Sequence, residues 1–366
     1  MEELKDIRKE ITETDNELAK LFCRRMQLVK KVAEYKKANG LPIFDPQREA
    51  AVLENGASRV EDDELKGYYV SFLKSAMEIS RRYQSSILEG LKVAYCGTKG
   101  AFAHIASSHL FPTARLIAYP SFKKAYEAVE NGECECAVLP VENSFAGDVG
   151  QVNDLMFSGP LHINGMYDLA VTHDLLGVKG SDLSSIKTVV SHPQALSQCS
   201  AFIKDNALSE QEYSNTALAA EFVKNSNDTS VAAIASAESA KIFGLEVIAR
   251  SINDDRSNTT RFAVFSRADS KATGNMDDPH FSLVFTAKNE AGSLAKAISI
   301  IGKYGFNMKT LRSRPNKELL WQYYFYVEAE GDIYSKLGQL CLEELKDYCD
   351  KIKIVGSYNN LHAQEA

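Results

Sequence analysis

The sequence Ser-Asn-Thr-Thr-Arg-Phe-Ala-Val-Phe, residues 257–265, joins a polar loop to a short apolar strand. Its second half, from Phe262 to Phe265, is typical of a buried strand. Thr260 and Arg261 stand at the leading edge of that strand, so a hydroxyl that can give up a proton lies beside a permanent cation. The pair suits a reaction in which a hydroxyl group leaves as water while a carboxylate is held.

The composition is that of an ordinary soluble chain, and 366 residues predict two or three domains. Hydrophobic residues make up 45% and charged residues 25%, which allows a sizeable core. A formal net charge of −7 disfavours nucleic acid and anionic membranes as partners. The first residues lack the pattern of a signal peptide, and no long apolar run occurs, so we expect a cytoplasmic protein.

The seven cysteines give little sign of a metal site. Only Cys134 and Cys136 are close in sequence, and a single C-x-C without a second pair is a poor zinc signal. We expect reduced structural cysteines, no metal and no cofactor.

Residues 1–90 predict three helices. The first has apolar residues at alternating steps of three and four, a heptad seam that also includes Arg25. A buried arginine needs an anionic partner. Lys36, eleven residues after Arg25, returns to within about 20° of the helix face that carries Arg25. On this helix alone, a ligand site and a polar residue that sets the helix register remain equally good explanations.

The second and third helices add further polar positions. Asp45 before Pro46 is a good helix start, and Arg48 and Glu49 follow in the first turns. The third helix begins near residue 62 and runs to about residue 90. Ser80 and Gln84 share one of its faces.

Residues 4–88 resemble the all-helical chorismate mutases in the segments I-R-x-x-I, C-R-R-M, Y-K, D-P-x-R-E and I-S-x-x-Y-Q. The resemblance implies a pocket for chorismate lined by Arg8, Arg25, Lys36, Asp45, Arg48, Glu49, Ser80 and Gln84. In that family's mechanism Lys36 and Gln84 would hydrogen-bond the ether oxygen and Glu49 the ring hydroxyl. Catalysis would consist of holding a compact conformer and stabilising developing charge, without a covalent step.

The spacing of two of these arginines has a consequence for assembly. Arg8 precedes Arg25 by 17 residues, roughly 25 Å along a straight helix. One small substrate cannot touch both in the same chain. We therefore expect a homodimer in which Arg8 reaches the neighbouring subunit's pocket, and a tetramer remains open.

Residues 91–267 alternate strand-like and helix-like segments, which predicts an α/β fold. The predicted strands are Val93–Tyr95, Leu116–Tyr119, Ala137–Val141, Leu169–Thr172, Thr188–Ser191, Val231–Ala235, Glu246–Ile248 and Arg261–Phe265. Several end in a short polar turn that opens a helix, as at residues 142–144, 191–194, 214–216 and 236. Each turn alone could be ordinary capping, but the four together favour a ligand cleft.

This segment resembles prephenate dehydratase in V-A-Y-C-G-T-K-G, L-P-V-E-N-S-x-x-G, V-V-S-H-P-Q-A-L-x-Q-C, N-T-A-x-A-A and N-T-T-R-F. The resemblance implies two lobes, like those of periplasmic binding proteins, with prephenate between them. Thr260 would supply the proton that helps the ring hydroxyl leave, and Arg261 would hold a carboxylate or orient the site. The remaining substrate contacts would be Asn143, Ser144, Ser191, His192, Gln194, Thr216 and Phe262.

Two loops depart from that family's pattern. Ala101 and Ala103 stand where hydroxyl residues are common, and Asp148 stands where serine is usual. These changes leave open whether the substrate is prephenate or its amino analogue arogenate.

Residues 270–279 are typical of a linker, and residues 280–366 predict the strand and helix order β-α-β-β-α-β of a ferredoxin-like unit. In Gly292-Ser293-Leu294, Asn307 and Arg312-Ser313-Arg314-Pro315 they resemble the ACT domain of prephenate dehydratases, with Ser293 in place of alanine and Arg312 in place of glutamate. The resemblance implies phenylalanine binding and feedback inhibition, with a purely dimerising domain as the alternative. The effector contacts would be Gly292, Ser293, Leu294, Asn307, Ser313, Arg314 and Pro315.

The sequence as a whole therefore predicts a multidomain enzyme with segments 1–90, 91–267 and 280–366. It resembles the bifunctional chorismate mutase–prephenate dehydratases, which would convert chorismate to phenylpyruvate. The rivals are a dehydratase for arogenate and an amino-acid-responsive binding module that has lost its chemistry.

Overall fold

A computed structural model describes residues 2–39, 46–255, 257–269, 278–315 and 323–361. The chain forms two compact units, Met1–Lys92 and Val93–Ala366. Within the described ranges, no helix is both long enough and apolar enough to cross a membrane.

The described part of the first unit is helical. Its helices are α1 (Glu2–Asn39), α2 (Pro46–Ala57) and α3 (Asp63–Glu89), and both α1 and α2 pack against α3. The side chain of Asp62 caps α3 by accepting a hydrogen bond from the backbone N–H of Glu64, and Gly90 ends the helix at φ +78°. The helical N-terminal domain predicted from the heptad pattern is thus confirmed.

Most of the heptad seam of α1 lies at the surface of the single chain. Leu21 is 60% exposed and Tyr35 is 64% exposed, whereas Ala33 is buried. Helix α3 adds exposed aromatic side chains, and Tyr68 is 74% exposed. A long apolar face is therefore open to solvent in the isolated subunit, which is uncommon for a monomer.

The second unit begins with a lobe built on one sheet. Its strands are β1 (Lys92–Cys96), β2 (Arg115–Tyr119), β3 (Cys136–Asn143), β4 (Gly147–Asp148), β5 (His162–Ala170) and β11 (Thr259–Ser266), with helices α4 (Phe102–Leu110), α5 (Phe122–Glu130) and α6 (Gly150–Ser158). Strand β11 lies between β3 and β5 and pairs antiparallel with both. The strand that carries Thr260 is therefore an interior strand of the sheet, which fixes its position.

A second lobe is inserted between β5 and β11. Its elements are β6 (Asp174–Gly177), β7 (Thr188–Ser191), α7 (Pro193–Ser197), α8 (Ser200–Asp205), β8 (Ser209–Glu212), α9 (Thr216–Ser226), β9 (Val231–Ala235), α10 (Ala237–Phe243) and β10 (Glu246–Ala249). Its described strands form the sheet β10-β6-β9-β7-β8. The chain crosses between the lobes twice, at residues 171–173 and again between β10 and β11, so the predicted two-lobed α/β organisation is confirmed.

A C-terminal module completes the second unit. Its elements are β12 (Pro279–Ala287), α11 (Ser293–Lys303), β13 (Met308–Pro315), β14 (Tyr323–Glu330), α12 (Lys336–Leu345) and β15 (Cys349–Leu361). The strand order β13-β14-β12-β15 is that of a ferredoxin-like sheet. We call residues 278–361 the C-terminal module.

The C-terminal module and the first lobe share a sheet and a core. Strand β15 pairs antiparallel with β12 and parallel with β5, where Gly356 lies opposite Ile163. A Cβ at position 356 would stand 2.0 Å from the carbonyl oxygen of Ile163, so this close approach requires glycine. Module residues such as Tyr358 also pack in one hydrophobic cluster with Phe265 and Met166 of the first lobe.

Three short strands, β4, β6 and β8, were not predicted from the sequence. In β8 all of Ser209–Glu212 are exposed polar residues, which carry no apolar alternation. Strand β4 has only two residues, and β6 follows directly on the crossing from the first lobe. Such strands depend on the hydrogen-bonding edge that a neighbour offers, which a local pattern does not reveal.

Candidate active sites

In the helical unit, the structure brings Arg25 and Ser80 together across α1 and α3. The Arg25 guanidinium donates hydrogen bonds to the Ser80 hydroxyl and, at 3.1 Å, to the carbonyl of Ala76. Ser80 is buried and donates in turn to the carbonyl of Ala76 at 2.6 Å. The serine thus holds a half-buried cation in place one turn before Gln84, which is also buried.

Glu49 and Gln84 occupy different local environments. Glu49 forms an ion pair with Arg81, a residue that the sequence interpretation missed. The Oε1 atom of Gln84 is buried and has no hydrogen-bond partner among the described residues. A buried amide oxygen of this kind costs free energy unless a ligand or water satisfies it, so it marks a place where a polar ligand fits.

The other predicted mutase residues are more scattered. Lys36 is half-buried, whereas Arg8 and Arg48 are exposed. Asp45 lies outside the described residues. The single chain therefore supplies part of the predicted set, and Arg8 is not buried within it.

In the second unit, a cavity of about 330 Å³ lies between the two lobes. Both lobes and both crossings contribute polar side chains to it. These include Asn143, Asp148 and Thr260 from the first lobe, His192, Gln194, Gln198 and Thr216 from the second, and His173 and Asn258 from the crossings. A cleft of this size with converging polar groups is the usual form of a small-molecule site.

Four of the described helices, α4, α6, α7 and α9, begin at this cavity. Their N-cap residues, Ala101, Val149, His192 and Asn215, all line it. His192 and Asn215 cap their helices with side-chain acceptors, whereas α4 and α6 have no side-chain cap. Helix N-termini carry partial positive charge, so this cavity favours an anion.

The hydroxyl of Thr260 is oriented by Asn143. The amide oxygen of Asn143 accepts hydrogen bonds from the backbone N–H groups of Phe145 and Ala146, at 3.0 and 2.8 Å. Backbone N–H groups can only donate, which fixes the orientation of the amide. Its Nδ2 must therefore donate to Thr260 Oγ1 at 2.9 Å, so Thr260 accepts from Asn143 and can direct its own proton into the cavity.

The same amide begins a chain of hydrogen bonds through the cleft. Asn143 Nδ2 donates to Asn258 Oδ1 at 2.8 Å, and Asn258 Nδ2 donates to Gln198 Oε1 at 3.1 Å. The Nε2 of His173 lies 2.9 Å from the same oxygen and must carry the hydrogen. Burial lowers the pKa of His173, so the neutral imidazole presents its Nδ1 as an acceptor.

Arg261 does not line this cavity, although the sequence interpretation placed it beside the substrate. Its guanidinium makes two hydrogen bonds to Asp168, at 2.8 and 3.1 Å, and one to Glu328 of the C-terminal module at 3.3 Å. These bonds to Asp168, above all, raise the pKa of Arg261. Neighbouring residues of a strand face opposite sides, so Thr260 in the cleft puts Arg261 on the other face.

Three other predicted contacts are also absent from the lining of the cavity. Ser191 is fully buried and donates to the carbonyl of Ile234 at 2.6 Å, and Phe262 belongs to the hydrophobic core. The Ser144 hydroxyl accepts from the backbone N–H of Thr259 at 2.9 Å and thereby fixes the loop before Thr260. In contrast, Asn143, His192, Gln194 and Thr216 all line the cavity as predicted.

The cleft contains further residues that the sequence interpretation missed, namely Phe102, His173, Gln198 and Asn258. The sequence did contain a signal for Asn258. If the predicted strand is extended toward the N-terminus, residues 258 and 260 lie on the same face. His173 gave no such signal, since an isolated histidine in a strand-rich segment is more often structural.

In the C-terminal module, a second cavity of about 230 Å³ lies at the start of α11. Gly292 and Leu294 line it, together with Lys288, Glu290, Tyr323 and Phe325. Ser293 is buried at the first position of the helix.

The remaining predicted effector residues lie elsewhere. Asn307 donates to Glu330 at 2.8 Å, and Arg314 pairs with Asp154 of the first lobe at 3.0 Å. Ser313 and Pro315 are exposed on β13. Strand β13 therefore faces the first lobe with its arginines and does not contribute to the lining of this cavity.

Among the described residues, no group of three or more His, Cys, Asp or Glu side chains is arranged to hold a metal ion.

Comparison with known proteins assigns a family to each unit. Residues 7–85 match the family model of chorismate mutase type II, and residues 93–270 match that of prephenate dehydratase. The bifunctional chorismate mutase/prephenate dehydratase of Aquifex aeolicus is 33% identical over 371 aligned residues, which cover all of both chains.

Two solved structures share the fold of the second unit. GqqA, described as a novel type of quorum quenching acylase, has a TM-score of 0.68 at 30% identity and covers 74% of this chain and 98% of its own. The prephenate dehydratase of Arthrobacter aurescens in complex with L-Phe also has a TM-score of 0.68, at 25% identity, and covers 74% of this chain and 90% of its own. Since one fold carries two activities, the fold alone does not decide the assignment, and the full-length likeness does. The chain belongs to the bifunctional chorismate mutase/prephenate dehydratase family.

Proposed function

We propose that the chain catalyses two successive reactions. The helical unit rearranges chorismate to prephenate, and the cleft of the second unit converts prephenate to phenylpyruvate, carbon dioxide and water. The hydroxyl of Thr260, which Asn143 orients between the lobes, is the observation that carries the second assignment.

In the dehydratase reaction the ring carboxylate leaves as carbon dioxide. The electron pair of the breaking C–C bond enters the ring, which becomes aromatic as the C–O bond to the ring hydroxyl breaks. The leaving hydroxide needs one proton to become water. Thr260 is placed to donate that proton because its oxygen already accepts from Asn143, so its own hydrogen is available to the substrate.

The carboxylates of the substrate need a positive environment that Arg261 does not supply in this arrangement. The converging N-termini of α4, α6, α7 and α9 fulfil this role. Gln194 and Thr216, near two of these helix starts, add hydrogen-bonding groups. We assign Arg261 to fixing β11 against Asp168 and the C-terminal module.

A pair of substitutions at Thr260 tests the assigned acid. Thr260→Val keeps the shape and removes the hydroxyl, whereas Thr260→Ser keeps the hydroxyl. We expect kcat for phenylpyruvate formation to fall by about 10²–10⁴ in the valine variant, the usual contribution of a general acid, and much less in the serine variant. Equal turnover of wild type and Thr260→Val would refute the role.

The mutase assignment rests on the polar groups of α1 and α3. Arg25 and Ser80 are hydrogen-bonded to each other, and the buried oxygen of Gln84 lacks a partner among the described residues. Arg25 would hold a carboxylate of chorismate, and Gln84 together with Lys36 would hydrogen-bond the breaking C–O bond.

The exposed seam of α1 supports assembly into a homodimer. A second copy of the same apolar face would cover Leu21, Leu28 and Tyr35, which are 56–64% exposed. Arg8 lies far along α1 from Arg25 and would complete the partner's pocket. Mixing inactive Arg8→Ala and Arg25→Ala chains should then restore some mutase activity, and no recovery would contradict a shared site.

For the C-terminal module we propose an ACT-type role, with an amino acid as effector. Its cavity combines Glu290 and Lys288, which can pair with an ammonium and a carboxylate, with the aromatic rings of Tyr323 and Phe325. Such a lining suits phenylalanine. Calorimetry that shows no heat with phenylalanine, together with unchanged activity in its presence, would leave the module a purely structural role.

A further inference from the structure

Arg312 extends from β13 of the C-terminal module to the first lobe. Its Nε lies 2.7 Å from Oδ1 of Asp148, and a terminal nitrogen lies 2.5 Å from Oε2 of Glu142. The guanidinium also lies over the ring of Tyr326, 5.7 Å from its centroid. Only 13% of the Arg312 side chain is exposed, so these contacts hold it in one position.

The two carboxylates belong to one strand pair, and one of them, Asp148, lines the dehydratase cleft. Strand β4 pairs with β3 so that Glu142 lies opposite Asp148 and Asn143 lies opposite Gly147. Asp148 lines the cavity, and Asn143 is the residue that orients Thr260. Arg312 therefore neutralises charge within the strand pair that carries the catalytic arrangement.

The charge of this wall distinguishes between two possible substrates. Prephenate has two carboxylates and a ketone, whereas arogenate has an ammonium in place of the ketone. An uncompensated Asp148 would repel the first substrate and attract the ammonium of the second. With Arg312 ion-paired to it, the carboxylate of Asp148 is less available to a ligand cation.

We propose that Arg312 determines substrate specificity from outside the cleft. By engaging Asp148 and Glu142, it makes the cleft favour the keto acid over the amino acid. Arg312 acts through Asp148 and is thus a positioning residue. The proposal rests on the dehydratase function proposed above and assigns to the C-terminal module a part in substrate choice.

The test compares kcat/KM for prephenate and for arogenate in the full-length chain. We expect Arg312→Ala to lower the ratio of kcat/KM for prephenate to kcat/KM for arogenate by about tenfold at low ionic strength. The substitution removes the cation that pairs with Asp148, which lines the cleft, and with Glu142 on the neighbouring strand. High salt should reduce this effect through screening. Asp148→Asn combined with Arg312→Ala should return the ratio to near that of the wild type.

Two further variants separate specificity from stability. Lys309→Ala removes another cation of β13, whose partner Glu330 belongs to the module itself, and should leave the ratio unchanged. Asp148→Asn alone keeps the size of the side chain and should raise the ratio even if Arg312→Ala folds poorly. Mutase activity in each preparation reports on the separate helical unit.

The outcomes distinguish the proposal from the function on which it rests. A wild type inactive toward both substrates would overturn the dehydratase assignment. If the wild type is active and Arg312→Ala has the same ratio of kcat/KM for the two substrates, the specificity role alone is overturned. The same holds if kcat/KM falls by the same factor for both substrates.

Discussion

Replacing Asn143 by aspartate should separate the orientation of Thr260 from its presence. The side chain keeps its size, but three bonds donated by Nδ2 are lost, to Thr260 Oγ1, Asn258 Oδ1 and the carbonyl of Thr259, at 2.9, 2.8 and 3.2 Å. A carboxylate can only accept, so the hydroxyl of Thr260 would donate to it and turn its proton away from the substrate. The acid contribution should then be lost.

The expected loss follows from the usual contribution of a general acid. We predict a fall in kcat of about 10³, or about 4 kcal/mol in the barrier. The added negative charge should also raise KM. Two acceptors left facing a carboxylate should lower the free energy of unfolding by about 1–3 kcal/mol.

The assay follows phenylpyruvate formation from prephenate across pH. Protonation of the introduced carboxyl group in Asn143→Asp would restore one donor, so the activity of the variant should rise toward acid pH relative to that of the wild type. Asn164→Asp is a matched control, because Asn164 lies on β5 and donates instead to Ala268 and Ser266 at the other end of the sheet. A variant at position 143 with kcat within about threefold of the wild type and no recovery at low pH would refute the reasoning.

Two other predictions concern stability and the mutase unit. Burial lowers the pKa of Lys353 from 10.5 to about 8, so the unfolded state binds more protons between these values and the free energy of unfolding should rise with pH in that window. In chemical denaturation, the free energy of unfolding of the wild type should rise by about 2 kcal/mol relative to that of Lys353→Met from pH 8 to 10.5, after allowance for solvent screening. A difference that stays constant with pH would show that the lysine is charged throughout. Glu49→Gln should lower mutase kcat/KM by roughly tenfold, because it removes the ion pair with Arg81 at the site. Dehydratase turnover should stay unchanged. Unaltered mutase kinetics would contradict a role for Glu49.

The sequence predicted the elements of the cleft better than the directions of its side chains. Residues predicted at helix starts, such as His192 and Thr216, line the cavity because a short polar turn between strand and helix has few geometries. Arg261 lies outside the lining of the cavity, because neighbouring residues of a strand face opposite sides and the prediction gave more weight to its adjacency to Thr260. The β-bulge that follows Arg261 leaves the alternation between Thr260 and Arg261 intact.

The network behind Thr260 could not be derived from the sequence. His173 and Gln198 meet through a crossing between lobes and a helix of the second lobe, and a local pattern does not encode that meeting. The contacts of Arg312 and Arg314 were missed for the same reason. Their partners lie on β3, β4 and α6, well over a hundred residues earlier in the chain.

The pairing of β15 with β5 has a consequence for synthesis on the ribosome. Strand β5 is made long before β15, and until β15 arrives its outer edge has no partner on that side, since β11 occupies the other. An unpaired edge beside a cluster of apolar side chains can pair with another chain. The nascent dehydratase lobe should therefore need protection until residue 361 has left the exit tunnel. A messenger RNA truncated before β15 should yield aggregates, even though every residue that lines the cleft has been translated.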